Sequence, residues 1–266
     1  MNVGDNMKDV NILTSNGVDV NKALEVLGDM TMYDETINDF LAGIGEKLQN
    51  LKTYKEAGDM ANYAIYAHSI KSDARYLGFV KLAEIALEHE MKGKENNPSF
   101  VLEHYDELVN ETNRMIQVAS SYNGVQAPVA APAPQPQAAP KDKAILVVDD
   151  SNLIRGFVQK VFNDEYDVVE ANDGLEAINI INSNPNRMVG MLLDLNMPNV
   201  NGFQVLEYFK QHDLFKKVPV SIITGDDAKN TVERAFEYPI IDVLAKPFNE
   251  RDVKRVVEKT IQFKEQ

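Results

Sequence analysis

Apolar residues follow two regimes along this chain. Between residues 20 and 122 they recur three and four apart, the period of an amphipathic helix, whereas beyond residue 143 they gather into short β-branched runs. In the first region Tyr63, Ala67, Ile70, Ala74 and Leu77 form one helical seam, and Asp59, behind Gly58, is placed to cap that helix. Gly78 interrupts the pattern before Phe79, Leu82, Ala83, Ala86 and Leu87 begin another face. Pro98 suits a first helical turn, with Val101, Leu102, Tyr105, Leu108, Val109 and Ile116 expected to point inward. Antiparallel helices with short connections predict an all-α up-down bundle. In the second region the runs 144–148, 191–193, 220–223 and 243–245 are separated by amphipathic stretches of helix length. Such runs predict buried parallel strands with crossover helices.

The boundary between the regimes is an uncharged stretch, 125–140, holding Pro128, Pro132, Pro134, Pro136 and Pro140 among Ala and Gln. Proline removes backbone donors and fixes φ, so this segment favours extended conformations and builds no core. Extended at about 3.1 Å per residue it would span on the order of 50 Å. The expected organisation is therefore multidomain: a polar, disordered N-terminus over 1–18, a helical bundle over 19–124, a Pro/Ala-rich linker over 125–141 and an α/β domain over 142–266.

Charge narrows the partners. Residues 1–124 carry 11 basic and 20 acidic side chains, and residues 141–266 carry 16 and 21. An acidic field with no basic stripe repels phosphate backbones, which argues against nucleic acid. The absence of cysteine excludes disulfides and thiolate metal sites. Residues 1–6 lack the basic and apolar regions of a signal peptide, and no apolar run approaches the roughly 20 residues of a membrane helix. A soluble, cytoplasmic protein with no membrane insertion is expected.

Each apolar run of the second region leads into a polar residue: Asp149 and Asp150, Asp194, Thr224, and Lys246 before Pro247. Parallel strands bring their C-terminal ends to one edge of a sheet, where ligands bind. Three carboxylates there repel one another, and a hard cation relieves them; Mg²⁺ suits, because it keeps several waters and readily shares a phosphate oxygen. One carboxylate can then attack phosphorus, with the metal and Lys246 neutralising oxygens and Thr224 hydrogen-bonding a phosphoryl oxygen. Singly, an Asp at a strand end is an ordinary helix cap and a Lys-Pro pair is nothing in particular. The ordered set points to phosphoryl chemistry.

With Val147-Val148-Asp149-Asp150, Leu193-Asp194-Leu195-Asn196-Met197-Pro198, Gly202, Ile223-Thr224-Gly225 and Lys246-Pro247-Phe248, residues 143–266 resemble the receiver domain of response regulators. The resemblance implies a flavodoxin-like, doubly wound, five-stranded parallel sheet. It implies that Asp194 is the phosphoacceptor, that Asp149, Asp150, Asp194 and the Asn196 carbonyl hold Mg²⁺, that Lys246 contacts the phosphoryl group and that Thr224 is the switch hydroxyl. The sequence departs from the family's habit at Val243, where receivers often carry Tyr or Phe, and at Pro239, Ile240 and Ile241 just before it. Phosphorylation is expected to survive both departures, while the usual aromatic reorientation cannot occur.

Of the four histidines, His89, His104 and His212 read as surface helical residues. His68 lies well off the Tyr63–Leu77 seam and is expected to point outward, with Lys71 one turn on to contact an anion and small Ser72 leaving the face uncovered. An exposed neutral imidazole can be a nucleophile toward phosphorus. Lys71, being exposed, is expected to matter more to transfer than to stability. By spacing alone these are a surface histidine and an unrelated lysine, but His68-Ser69-Ile70-Lys71-Ser72 with closing Gly78 resembles the motif of histidine phosphotransfer (HPt) domains. That resemblance spans roughly 20–122 and implies a four-helix bundle phosphorylated on His68.

No nucleotide-binding loop accompanies these motifs; Gly43-Ile44-Gly45 lacks a following Lys-Ser or Lys-Thr and reads as a bend or a close helix contact. The chain is therefore expected to be no ATP-dependent kinase. It is expected to be a phosphorelay protein whose receiver catalyses its own aspartate phosphorylation and dephosphorylation. Its expected partners are a sensor histidine kinase and other phosphorelay receivers or HPt proteins. Two rivals fit part of the pattern: a receiver-based binding protein whose bundle only docks, and a Mg²⁺-dependent aspartyl phosphatase, which leaves His68 without a role.

Overall fold

The computed structural model describes residues 8–124, 141–225 and 229–264. The chain divides into two compact units between Ala133 and Pro134, inside the Pro/Ala-rich stretch. The expected linker lies outside the described residues except for Lys141.

The first unit is helical. Four long helices, α3 (Met30–Ala57), α4 (Met60–Tyr76), α5 (Val80–Lys94) and α6 (Pro98–Tyr122), run up and down, preceded by two short ones, α1 (Asn11–Thr14) and α2 (Val20–Leu27). Side chains that compete with the backbone for hydrogen bonds start most of them. Asp19, Asp29, Asp59 and Asn97 each accept a hydrogen bond from the amide three residues on. The seam Tyr63, Ala67, Ile70, Ala74 and Leu77 is buried throughout. Gly43 and Gly45 sit inside α3, which runs on without interruption.

Two expectations fail here. The N-terminal segment is not disordered over residues 8–18: it forms α1, and Leu13 and Val18 are buried. The signal was a lone apolar pair in polar surroundings, too short to show a period. Residues 1–7 lie outside the described residues. Leu102, expected inward, is 66% exposed because Val101, Tyr105 and Leu108 already complete the buried stripe of α6.

The second unit alternates β1 (Ala144–Val148), α7 (Asn152–Phe162), β2 (Asp167–Ala171), α8 (Gly174–Ser183), β3 (Met188–Asp194), α9 (Gly202–Gln211), β4 (Val220–Gly225), α10 (Lys229–Ala235), β5 (Val243–Lys246) and α11 (Glu250–Lys264). The sheet is parallel with strand order β2-β1-β3-β4-β5, the doubly wound order whose ligand crevice opens between the first and third strands. Strand β2 had no apolar run to announce it. It is an edge strand, half-buried over most of its length. Val243 lies half-buried on β5 and packs against the main core cluster.

Candidate functional site

Sheet register assembles the first constellation. Val148 pairs with Leu193, so Asp149 and Asp194 follow side by side off β1 and β3. Asp194 pairs with Ile223 and Gly225 with Lys246, which sets Thr224 and Lys246 at the same edge. Asp149, Asp150 and Asp194 each offer an oxygen within 4.8 Å of the others. The Lys246 ammonium donates to Asp194 Oδ2 at 2.6 Å and lies 2.8 Å from Asp149 Oδ2. The other oxygens are held by the backbone: Ser151 N–H donates to Asp149 Oδ1 and Asn196 N–H to Asp194 Oδ1, both at 3.0 Å. Thr224 is buried beside them, its hydroxyl directed weakly at the Gly225 carbonyl, 3.4 Å away.

Three acids around one base leave the cluster short of positive charge. Burial, with the neighbouring charges of Asp194 and Asp150, pushes the Asp149 carboxyl up to about 7 despite Lys246. Burial would pull Lys246 down, but Asp149, Asp194 and Asp150 outweigh it and hold the ammonium well above its ordinary value. Asp149 Oδ2 is buried and meets the Lys246 ammonium as an ion pair outside good hydrogen-bond geometry. Three clustered carboxylates sharing one ammonium fit a hard, oxygen-seeking cation.

The second constellation differs from expectation. His68 is 3% exposed, Lys71 1% and Ser72 4%. The imidazole does not face solvent; its Nδ1 is 2.8 Å from Glu90 Oε1 on α5. Lys71 Nζ lies 2.6 Å from Glu90 Oε2, and Lys94 donates to Glu90 Oε1 at 2.5 Å. Burial would raise the Glu90 carboxyl, but the hydrogen bond from His68 and the charges of His68 and Lys71 hold it well below the usual carboxylate range. His68 Nε2 is buried with no hydrogen-bond partner.

Small residues cause this burial, the reverse of the role expected for Ser72. A Cβ built on Gly93 would stand 2.9 Å from Ala64 Cβ and 3.1 Å from the Met60 carbonyl, so α4 and α5 touch almost backbone to backbone. At that separation α5 covers the His68 face and places Glu90 against it. Gly78, with φ of 70°, makes the turn from α4 to α5; a Cβ there would meet the Asp19 carbonyl oxygen at 2.2 Å. His89 is likewise no surface residue. It is 1% exposed, with Nδ1 2.7 Å from the Tyr63 hydroxyl, and burial pulls its imidazole down to about 4. The residues that sequence reasoning missed are Glu90 and Lys94. Glu90 offered only a weak signal, an acid on a helix whose register against α4 cannot be read from spacing.

Comparison with known proteins agrees with this division. The response regulator receiver domain model matches residues 145–258, and the Hpt domain model matches residues 35–118. Chemotaxis protein CheY1 of Helicobacter pylori is 30% identical over 116 residues, 43% of this chain and 93% of the relative. The CAI-1 autoinducer sensor kinase/phosphatase CqsS of Vibrio cholerae is 34% identical over 115 residues, 42% of this chain and 16% of that protein. A solved response regulator receiver domain protein from Clostridium thermocellum is 24% identical with a TM-score of 0.43, covering 46% of this chain and 97% of that one. Among the described residues, no helix is long and apolar enough to cross a membrane.

Proposed function

We propose that this chain, which belongs to the response regulator receiver family and carries an Hpt domain ahead of its receiver, passes phosphoryl groups through His68 and Asp194. Two-component phosphorelay signalling is the setting that the two domains support. The donors and acceptors would be a sensor histidine kinase and the matching sites of other phosphorelay receivers or Hpt proteins.

The observation that carries the reading for His68 is its contact with Glu90. A carboxylate that accepts a hydrogen bond from Nδ1–H fixes the tautomer and leaves the lone pair on Nε2. That nitrogen attacks phosphorus; the N–P bond forms as the P–O bond to the donor aspartate breaks, and the donor carboxylate leaves with the electron pair. Glu90 meanwhile stabilises the charge gathering on the ring. Lys71 acts by holding Glu90 at its other oxygen.

At the receiver, an oxygen of Asp194 attacks the phosphorus of a phosphohistidine, and the imidazole of the donor leaves. Lys246, already on Asp194 Oδ2, neutralises a phosphoryl oxygen, and the Thr224 hydroxyl turns from its weak contact to donate to another phosphoryl oxygen. Asp149, Asp150, Asp194 and the Asn196 carbonyl would hold Mg²⁺, which when bound supplies further positive charge to the phosphoryl oxygens. Water attack at the same centre gives the receiver's self-dephosphorylation.

Phosphotransfer profiling with purified histidine kinases tests this on the full chain, His68→Gln and Asp194→Asn. Asp194→Asn should lose the base-labile acyl phosphate and His68→Gln the acid-labile phosphoramidate. Label that survives both substitutions would place the chemistry elsewhere.

A further inference from the structure

Arg155 grips the backbone between the first two acids. It lies on α7, is 8% exposed, and donates from Nη1 to the Asp149 carbonyl at 2.6 Å. Nε donates to Glu170 Oε2 on β2 at 3.0 Å, and Nη2 donates to Asn152 Oδ1. The planar guanidinium thus ties the end of β1 to β2 and to the start of α7.

We propose that Arg155 is a positioning residue for the metal-binding pair Asp149 and Asp150. The Asp149 carbonyl belongs to the peptide that joins them. Neighbouring residues leave an extended chain in opposite directions, so both carboxylates can face one cation only if that peptide is held at one rotation. The rest of Asp149 is already fixed: its N–H donates to the Ala171 carbonyl at 3.1 Å and its Oδ1 accepts from Ser151. The carbonyl is the remaining backbone handle, and Arg155 holds it. Glu170 and Asn152 hold the guanidinium in turn, which restricts its rotation. A lysine keeps the charge but lacks the fork that meets three acceptors at once.

This inference rests on reading the acidic cluster as the receiver's metal and phosphoacceptor site. It is tested by Mg²⁺ calorimetry on the full chain and by Asp194 labelling with a small acyl phosphate over a range of Mg²⁺ concentrations. Arg155→Lys and Arg155→Gln should each weaken Mg²⁺ binding about tenfold, the lower end for residues that orient metal ligands. Saturating Mg²⁺ should restore the labelling rate to within about twofold of wild type, a recovery that neither unfolding nor a lost phosphoryl contact would show. Glu170→Gln, which loosens the guanidinium without removing it, should give a smaller loss in the same direction and serves if the Arg155 variants fail to fold. Mg²⁺ affinity unchanged in Arg155→Lys, or a labelling deficit that Mg²⁺ does not repair, overturns the proposal. Normal wild-type Mg²⁺ binding without label on Asp194 would instead remove the phosphoacceptor reading and leave the positioning role standing.

Discussion

Replacing Lys71 with Met should destabilise the helical unit by about 3 kcal/mol, the low end of the roughly 3–5 kcal/mol that follows loss of one partner from a buried ion pair. Its ammonium is 2.6 Å from Glu90 Oε2 and both side chains are 1% exposed. At an effective dielectric of about 20, that separation corresponds to about 6 kcal/mol of attraction, part of which offsets the desolvation of the lysine itself. Lys94 and His68 still serve Oε1, which keeps the loss at the low end. Urea titration of the full chain, followed by hydrogen exchange in peptides from α4 and α5, reads the effect locally, with receiver peptides as internal reference. The double variant Lys71→Met with Glu90→Gln removes the stranded charge and should regain about half of the loss. A single-variant effect under about 1 kcal/mol, with no coupling to Glu90, would mean that the lysine is solvated and the buried cluster is wrongly described.

Further outcomes are expected. Mg²⁺ affinity should fall as pH drops below about 7, because Asp149 takes up a proton there that the cation must displace, and Asp150→Asn should weaken binding sharply; calorimetry at pH 6 and 8 showing equal affinity would count against it. His89 titrates near 4 in the fold against about 6.5 when unfolded, so the unfolded chain binds more protons between those values. Stability should therefore be undiminished by this group above about pH 6.5 and fall by about 3 kcal/mol toward pH 4, with His89→Gln flattening the slope. Gly93→Val should wedge α5 from α4 and speed carbethoxylation of His68, which in the wild type should lag far behind exposed His212; equal rates for the two histidines in the wild type would deny the burial.

Local rules carried much of the architecture. The strand runs, the Asp59 cap and the seam from Tyr63 to Leu77 depend on neighbours in sequence, and each stands where its pattern placed it. The acids, Thr224 and Lys246 could be brought to one edge because parallel strands leave no other choice. What escaped depended on how closely two helices meet. Counting residues around α4 puts His68 away from the main seam, but that helix has a second covered side, and only the Ala64–Gly93 contact reveals it. Glu90 and Arg155 are invisible for the same reason. Their partners lie 22 and 6 residues away, at separations that carry no period.

If His68 carries the phosphoryl group as proposed, its enclosed Nε2 makes docking and chemistry inseparable there. With Glu90 kept on Nδ1, phosphorus would reach Nε2 only in the fraction of molecules locally opened over that nitrogen, and the apparent affinity for any donor would be lowered by that fraction. A small phosphodonor has too few contacts to shift the balance. A partner domain that bound the opened form would supply that opening from its own interface, so discrimination among similar receivers would be exercised before phosphorus is in reach. Enclosure would then act as insulation against crosstalk, with the key carried by the partner.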